Sequence, residues 1–130
     1  MMKLRAALAV LAVAVGVTAF SVVTSESTAV AATTCYGGAI TIPYDGIGLY
    51  PEGSGSYTTS SRCNDINMKV ARGSVSACVI FVDHTRDCNY WTTVRTSWVT
   101  IATNVKNGTH FQVGIEGHDD QLDMNMYLAY

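Results

Sequence analysis

The run Ala77-Cys78-Val79-Ile80-Phe81-Val82 is apolar at every position, and the rest of the sequence has to be arranged around it. A short apolar stretch with no alternation reads as a central strand covered on both faces. Before it, Arg62-Cys63-Asn64-Asp65-Ile66-Asn67-Met68-Lys69-Val70 sets Ile66, Met68 and Val70 against Asn67 and Lys69. That period of two predicts a strand with one wet face. Cys88-Asn89-Tyr90-Trp91 follows soon after, so three of the four cysteines sit in or beside these two runs.

The N-terminal part carries an address. Met1-Met2-Lys3-Leu4-Arg5 is charged, Ala6 to Val23 is apolar or small, and a polar stretch then leads to Ala29-Val30-Ala31-Ala32. This order predicts a cleavable signal peptide over 1–31 and a single secreted domain over 32–130. An uncleaved membrane anchor is disfavoured, because the apolar run is largely Ala, Val and Gly and an A-x-A site follows it. The formal net charge is −2, and removal of Lys3, Arg5 and Glu26 makes it one unit more negative. Arg62, Lys69, Arg72, Arg86, Arg95 and Lys106 are scattered among acids. Neither nucleic acid nor, after signal cleavage, a membrane is an expected partner.

Cys35, Cys63, Cys78 and Cys88 all fall in the exported part. An even count in an oxidising space predicts two disulfides. Zinc is disfavoured, since no C-x-x-C pair and no histidine at finger spacing is present. Three pairings are open. The preferred one joins Cys78 to Cys88 across a single turn, leaving Cys35–Cys63 to tie the N-terminal segment to the sheet. Each bridge is expected to stabilise by about 2–4 kcal/mol.

In sequence order, Tyr36–Pro43 reads as a first strand, with Pro43 unable to donate to a ladder. Residues 44–55, rich in Gly and Pro, predict a long irregular loop carrying Tyr44 and Tyr50. Short strands are expected at 56–60, 90–95 and 97–103, and turns at 71–74, 83–87 and 117–120. Asn107-Gly108, between Val105 and Phe111, predicts a type I′ hairpin whose return strand is 109–115. The alternation in 122–130 predicts a final strand held in a sheet. No apolar stripe of helical period persists over three turns of the exported part. The expected fold is all-β: a small antiparallel β-sandwich of about seven or eight short strands with two disulfides, behind a helical signal peptide.

Thr58-Thr59-Ser60-Ser61-Arg62-Cys63-Asn64-Asp65-Ile66-Asn67, Ala77-Cys78-Val79-Ile80-Phe81 and Cys88-Asn89-Tyr90-Trp91-Thr92, behind an export signal, resemble small secreted actinobacterial (Streptomyces-like) proteins. The resemblance covers most of the exported part. It implies an extracellular address, and it transfers no catalytic or binding residue.

The chemistry-bearing residues divide into three groups. Asp83-His84 and His118-Asp119-Asp120 lie in two turns, which would hold a divalent metal if they met. Neither matches a calcium loop or H-E-x-x-H, so solvated turn polarity is favoured, and neither metal nor cofactor is expected. His110 reads as a surface strand residue. For nucleophilic catalysis, Gly53-Ser54-Gly55-Ser56 is not G-x-S-x-G, and the cysteine count leaves no free thiol. Glu52, Glu116 and Asp119 have no fixed separation that would suit glycoside cleavage. No catalytic residue is assigned, and a hydrolase working through His84 or His118 ranks last.

The third group is aromatic: Tyr36, Tyr44, Tyr50, Tyr57, Tyr90, Trp91 and Trp98. Trp91 or Trp98 is expected to plug the core, while Tyr44 and Tyr50 are expected to be exposed for a sugar ring or a protein. Asn107-Gly108-Thr109 fits the glycosylation pattern but is read as a turn. The expected function is a non-catalytic binding module for an extracellular glycan or protein. Its candidate ligand-binding residues are Tyr44, Tyr50, Asp83, His84, His118 and Asp119. The alternative is a secreted inhibitor of an extracellular enzyme. Open edge strands permit a dimer, and no residue pattern argues for one.

Overall fold

Branched and alternating residues favour extension, and nine strands form among the described residues. They are β1 (Ile40–Pro43), β2 (Gly48–Tyr50), β3 (Tyr57–Thr58), β4 (Ile66–Val70), β5 (Val75–Ile80), β6 (Thr92–Val94), β7 (Val99–Ala102), β8 (His110–Gly117) and β9 (Asn125–Ala129). The computed structural model describes residues 34–117 and 124–130, together with Gly16. The signal peptide expected over 1–31 thus lies, Gly16 apart, outside the described residues. From Thr34 onward these residues belong to one unit, Ala31–Tyr130.

The strands make two antiparallel sheets. One has the order β1-β9-β4-β7; the other has β2-β8-β5-β6, with β3 also pairing with β8. Among neighbours in sequence, only β5 and β6 of the described strands pair. The inward faces are apolar. Ile66, Met68 and Val70 of β4, Met126 and Leu128 of β9 and Ile101 of β7 meet Val75, Ala77 and Val79 of β5 and Phe111, Val113 and Ile115 of β8. Burying a side chain of this size stabilises by about 1.5–3 kcal/mol.

As the unbroken apolar pattern predicts, β5 is buried on both sides from Ala77 to Ile80, but the strand ends there, and Val82, expected to be covered, lies exposed in the following turn. Ala77 and Val79 belong to the core, and Cys78 and Ile80 face the other way. The outer side is covered by the Cys78–Cys88 disulfide, while Cys35–Cys63 ties the N-terminal segment down. Both bridges follow the preferred pairing.

Several local expectations are corrected. The first strand begins at Ile40, because Tyr36–Gly38 coils into a 3-10 turn beside the Cys35 bridge. The loop at 44–55 contains β2, which pairs with Val113–Ile115, and a cis Tyr50–Pro51 peptide. The predicted hairpin at Asn107-Gly108 does not form, since β7 and β8 belong to different sheets. Of the two residues Asn107 and Gly108, only Gly108 has a positive φ. Buried Thr59 holds this crossover. Its hydroxyl donates to Lys106 O (2.6 Å) and accepts from the Thr109 N–H (2.9 Å), while its carbonyl accepts from the Gly108 N–H (2.9 Å).

The face of β4 expected to be wet is also covered. Asn67 is only 5% exposed; its Oδ1 accepts from the Thr100 hydroxyl (2.7 Å), and its amide lies 3.8 Å from Cys35 Sγ. Neither tryptophan plugs the core, where Phe111 is the largest fully buried side chain. Trp98 instead stacks on Tyr36 (4.7 Å between centroids), and the Lys69 ammonium sits over both Trp98 and Tyr127. A flat ring against a ring or a cation is favourable without full burial.

Candidate functional site

On the outer side of the second sheet, two of the loops singled out in the sequence converge. Their residues and the strands beneath them form a groove of about 320 Å³, lined by Leu49, Gly53, Ser54, Gly55, Ile80, Val82, Thr85, Arg86 and Gln112. The strand register explains the placement. Ile80 is the partner of Gln112, and Leu49 the partner of Gly114, so the loops after β2 and β5 overhang the same stretch of β8.

Gln112 is the fixed point. It is 8% exposed, and its Nε2 donates to the carbonyls of Pro51 (3.3 Å), Gly53 (3.2 Å) and Gly55 (2.9 Å). Three carbonyl acceptors define which end of the amide is nitrogen. Among the described residues, no donor reaches Gln112 Oε1. The opposite wall is a turn in which the N–H groups of His84 and Thr85 both donate to Phe81 O (2.9 and 3.0 Å). The Val82 N–H reaches His110 O (3.3 Å), and Asp83 Oδ2 lies 2.7 Å from His110 Nδ1. Leu49 and Val82 leave exposed apolar surface at the rim.

The anticipated site residues separate here. Asp83 and His84 lie in the turn that forms one wall, but Thr85 and Arg86, not they, line the groove. His110, expected to be a plain surface residue, is the partner of Asp83. Tyr50 is not exposed: at 6% exposure it packs into the core, its hydroxyl donating to Gly46 O (2.7 Å) and accepting from the Asp45 N–H (2.9 Å). Burial lifts its phenol above the ordinary value, partly offset by that N–H. Tyr44 is half-buried against the core. The turn at His118 and Asp119 lies outside the described residues.

Sequence reasoning missed Gln112, Arg86 and Leu49. Gln112 interrupts the apolar alternation of β8 only on the side that faces away from the core, where a polar residue is ordinary. The signal available was the glycine-rich loop, which exposes carbonyls that a buried amide can gather.

Among the described residues the most exposed rings are Tyr36, Tyr90 and Trp91, and none of them lines the groove. Tyr90 and Trp91 follow Asn89, whose side chain accepts from the Val79 N–H (2.8 Å) and donates to Ile101 O (2.9 Å), bridging the two sheets. Among the described residues no three of His, Cys, Asp and Glu come together in a metal-binding group. No helix among them is long and apolar enough to cross a membrane. Two disulfides suit an oxidising compartment. No protein-family model, no curated protein and no solved structure matches this sequence.

Proposed function

We propose that this protein is a secreted binding module that takes a segment of a protein ligand in the groove between the 51–55 loop and the 81–87 turn. The observation that carries this is Gln112: a buried amide that lines the groove and fixes one wall through its nitrogen, with no donor to its oxygen among the described residues. A peptide supplies what the lining asks for, an N–H for that oxygen and an apolar side chain for Leu49 and Val82. Both walls are held by hydrogen bonds, so little ordering cost falls on binding. A sugar suits the groove less well, since none of its lining residues is aromatic.

Fluorescence polarisation with pooled random hexapeptides, made both as amides and as free acids, tests this against wild type and Leu49→Asp. Binding in either pool that Leu49→Asp removes is the expected result. Absence of binding in both pools, or binding indifferent to Leu49→Asp, overturns the reading.

A second reading has its own observation. Tyr90 and Trp91 are each 48% exposed, and the segment is anchored by the Cys88 bridge and Asn89. Rigid exposed rings are suited to stacking on sugars. Quenching of tryptophan fluorescence by soluble glycans, lost in Trp91→Ala, is its expected sign.

A further inference from the structure

Resting on the peptide reading of the groove, we infer that the segment it takes is the C-terminal end of a polypeptide, with the free carboxylate on Arg86, the preceding N–H on Gln112 Oε1 and an apolar last side chain against Leu49 and Val82. Arg86 lines the groove opposite the Gln112-held loop. The two acids of its own turn are engaged elsewhere. Asp83 lies against His110 at 2.7 Å. Asp87 Oδ2 lies 3.5 Å from the Thr85 hydroxyl, and the Asp87 N–H donates to Thr85 Oγ1 at 3.1 Å. Among the described residues Arg86 makes no ion pair or hydrogen bond of its own.

The lining therefore asks for three things at once. A guanidinium seeks a planar anion and pairs best with a carboxylate, which it can grip with two N–H groups. Gln112 Oε1, in a residue more than nine-tenths buried, seeks a donor. Leu49 and Val82 seek apolar area. An internal peptide segment supplies the second and third demands but brings an anion only through an acidic side chain. A C-terminal apolar residue carries carboxylate, N–H and side chain on one α-carbon, so a groove this small can meet all three. Capture of a terminal carboxylate is an established mode of peptide recognition.

The test uses hexapeptides with leucine, valine or phenylalanine as the last residue, each made as free acid and as amide. It measures them against wild type, Arg86→Gln and Arg86→Lys. The free acids are expected to bind wild type about tenfold more tightly than the amides, the worth of one charge-assisted contact. Arg86→Gln is expected to bring the affinities of acid and amide together, and Arg86→Lys to restore part of the preference. Equal binding of acid and amide, or a preference that survives Arg86→Gln, overturns the carboxylate assignment. Because amide binding sensitive to Leu49→Asp would persist in that case, the groove itself would still stand. Loss of binding in every form would remove both.

Discussion

Gly114 of β8 faces Cys78 of β5 across the ladder, and a Cβ built on Gly114 would stand 2.8 Å from the Cys78 sulfur. The same methyl would meet Cys88 Sγ at 3.7 Å and a Leu49 methyl at 3.8 Å. Gly114 is therefore the floor on which the second disulfide and the groove's apolar rim both rest. Gly114→Ala is expected to cost about 1–3 kcal/mol by overpacking, read from the midpoint of urea unfolding. The penalty should shrink by more than half in a Cys78→Ala, Cys88→Ala background, because the clashing sulfur is gone. An unchanged penalty there would place the strain elsewhere.

Asn89 does the work of a missing strand. Its backbone N–H donates to Val79 O (2.9 Å), while its side chain serves Val79 N–H and Ile101 O, so it closes the gap between β5 of one sheet and β7 of the other. Asn89→Ala leaves an N–H and a carbonyl unpaired at that seam and should cost about 2–4 kcal/mol. Asn89→Asp keeps the acceptor for Val79 but loses the donor to Ile101, so its loss should be intermediate. Equilibrium unfolding of the three proteins ranks them directly.

Gln112 gathers three carbonyls from one loop, and that concentration makes the loop's order depend on a single side chain. Gln112→Met fills similar volume without the donors. Protease cleavage between Pro51 and Ser56 is expected to accelerate several-fold in this variant, with the remaining strands still protected from hydrogen exchange. Uniform loss of protection would mean instead that Gln112 supports the whole sheet.

Tyr57, Phe111 and Tyr130 form a ring cluster, with centroids 5.2 to 5.6 Å apart. Burial raises both phenols above their ordinary value, and for Tyr130 the nearby Arg62 works in the opposite direction. A raised folded-state value means that the neutral phenol is the form the fold prefers. Stability is then fully present below the unfolded-state value of about 10 and falls as pH rises through the folded-state values. Thermal melts from about pH 8 to 11.5 should show that fall. Tyr57→Phe and Tyr130→Phe should each flatten it, and an identical slope in both variants would place the titration elsewhere.

Local pattern carried further than turn chemistry did. The alternation of Ile66, Met68 and Val70 placed β4, and the unbroken run at 77–82 placed the buried part of β5 as far as Ile80, because apolar faces must be buried whatever lies opposite; Phe81 and Val82 lie beyond the strand, and Val82 is exposed. The cysteine spacing led to the observed pairing for the same local reason, since Cys78 and Cys88 are separated by ten residues across one turn. Asn107-Gly108 misled, because a hairpin motif specifies a tight turn and not the sheets on which its flanks find partners. Tyr50 misled in the opposite way. It sits in a loop rich in glycine and proline, yet its ring belongs to the core. Of the candidate site, the two loops were legible as loops. Their meeting over β8 was not, since it depends on registers between strands far apart in sequence.

Residue order by itself determined that this is a two-sheet β protein with an apolar centre and two bridges, because strand period and cysteine count are local or additive properties. Only the tertiary structure decided that Leu49, Arg86 and Gln112 share one groove, that Asn67 lies dry beneath a disulfide, and that the tryptophans stay outside the core. Each of those depends on which segments lie side by side. In a sandwich where nearly every strand pairs with one distant in sequence, that choice is made by packing the whole.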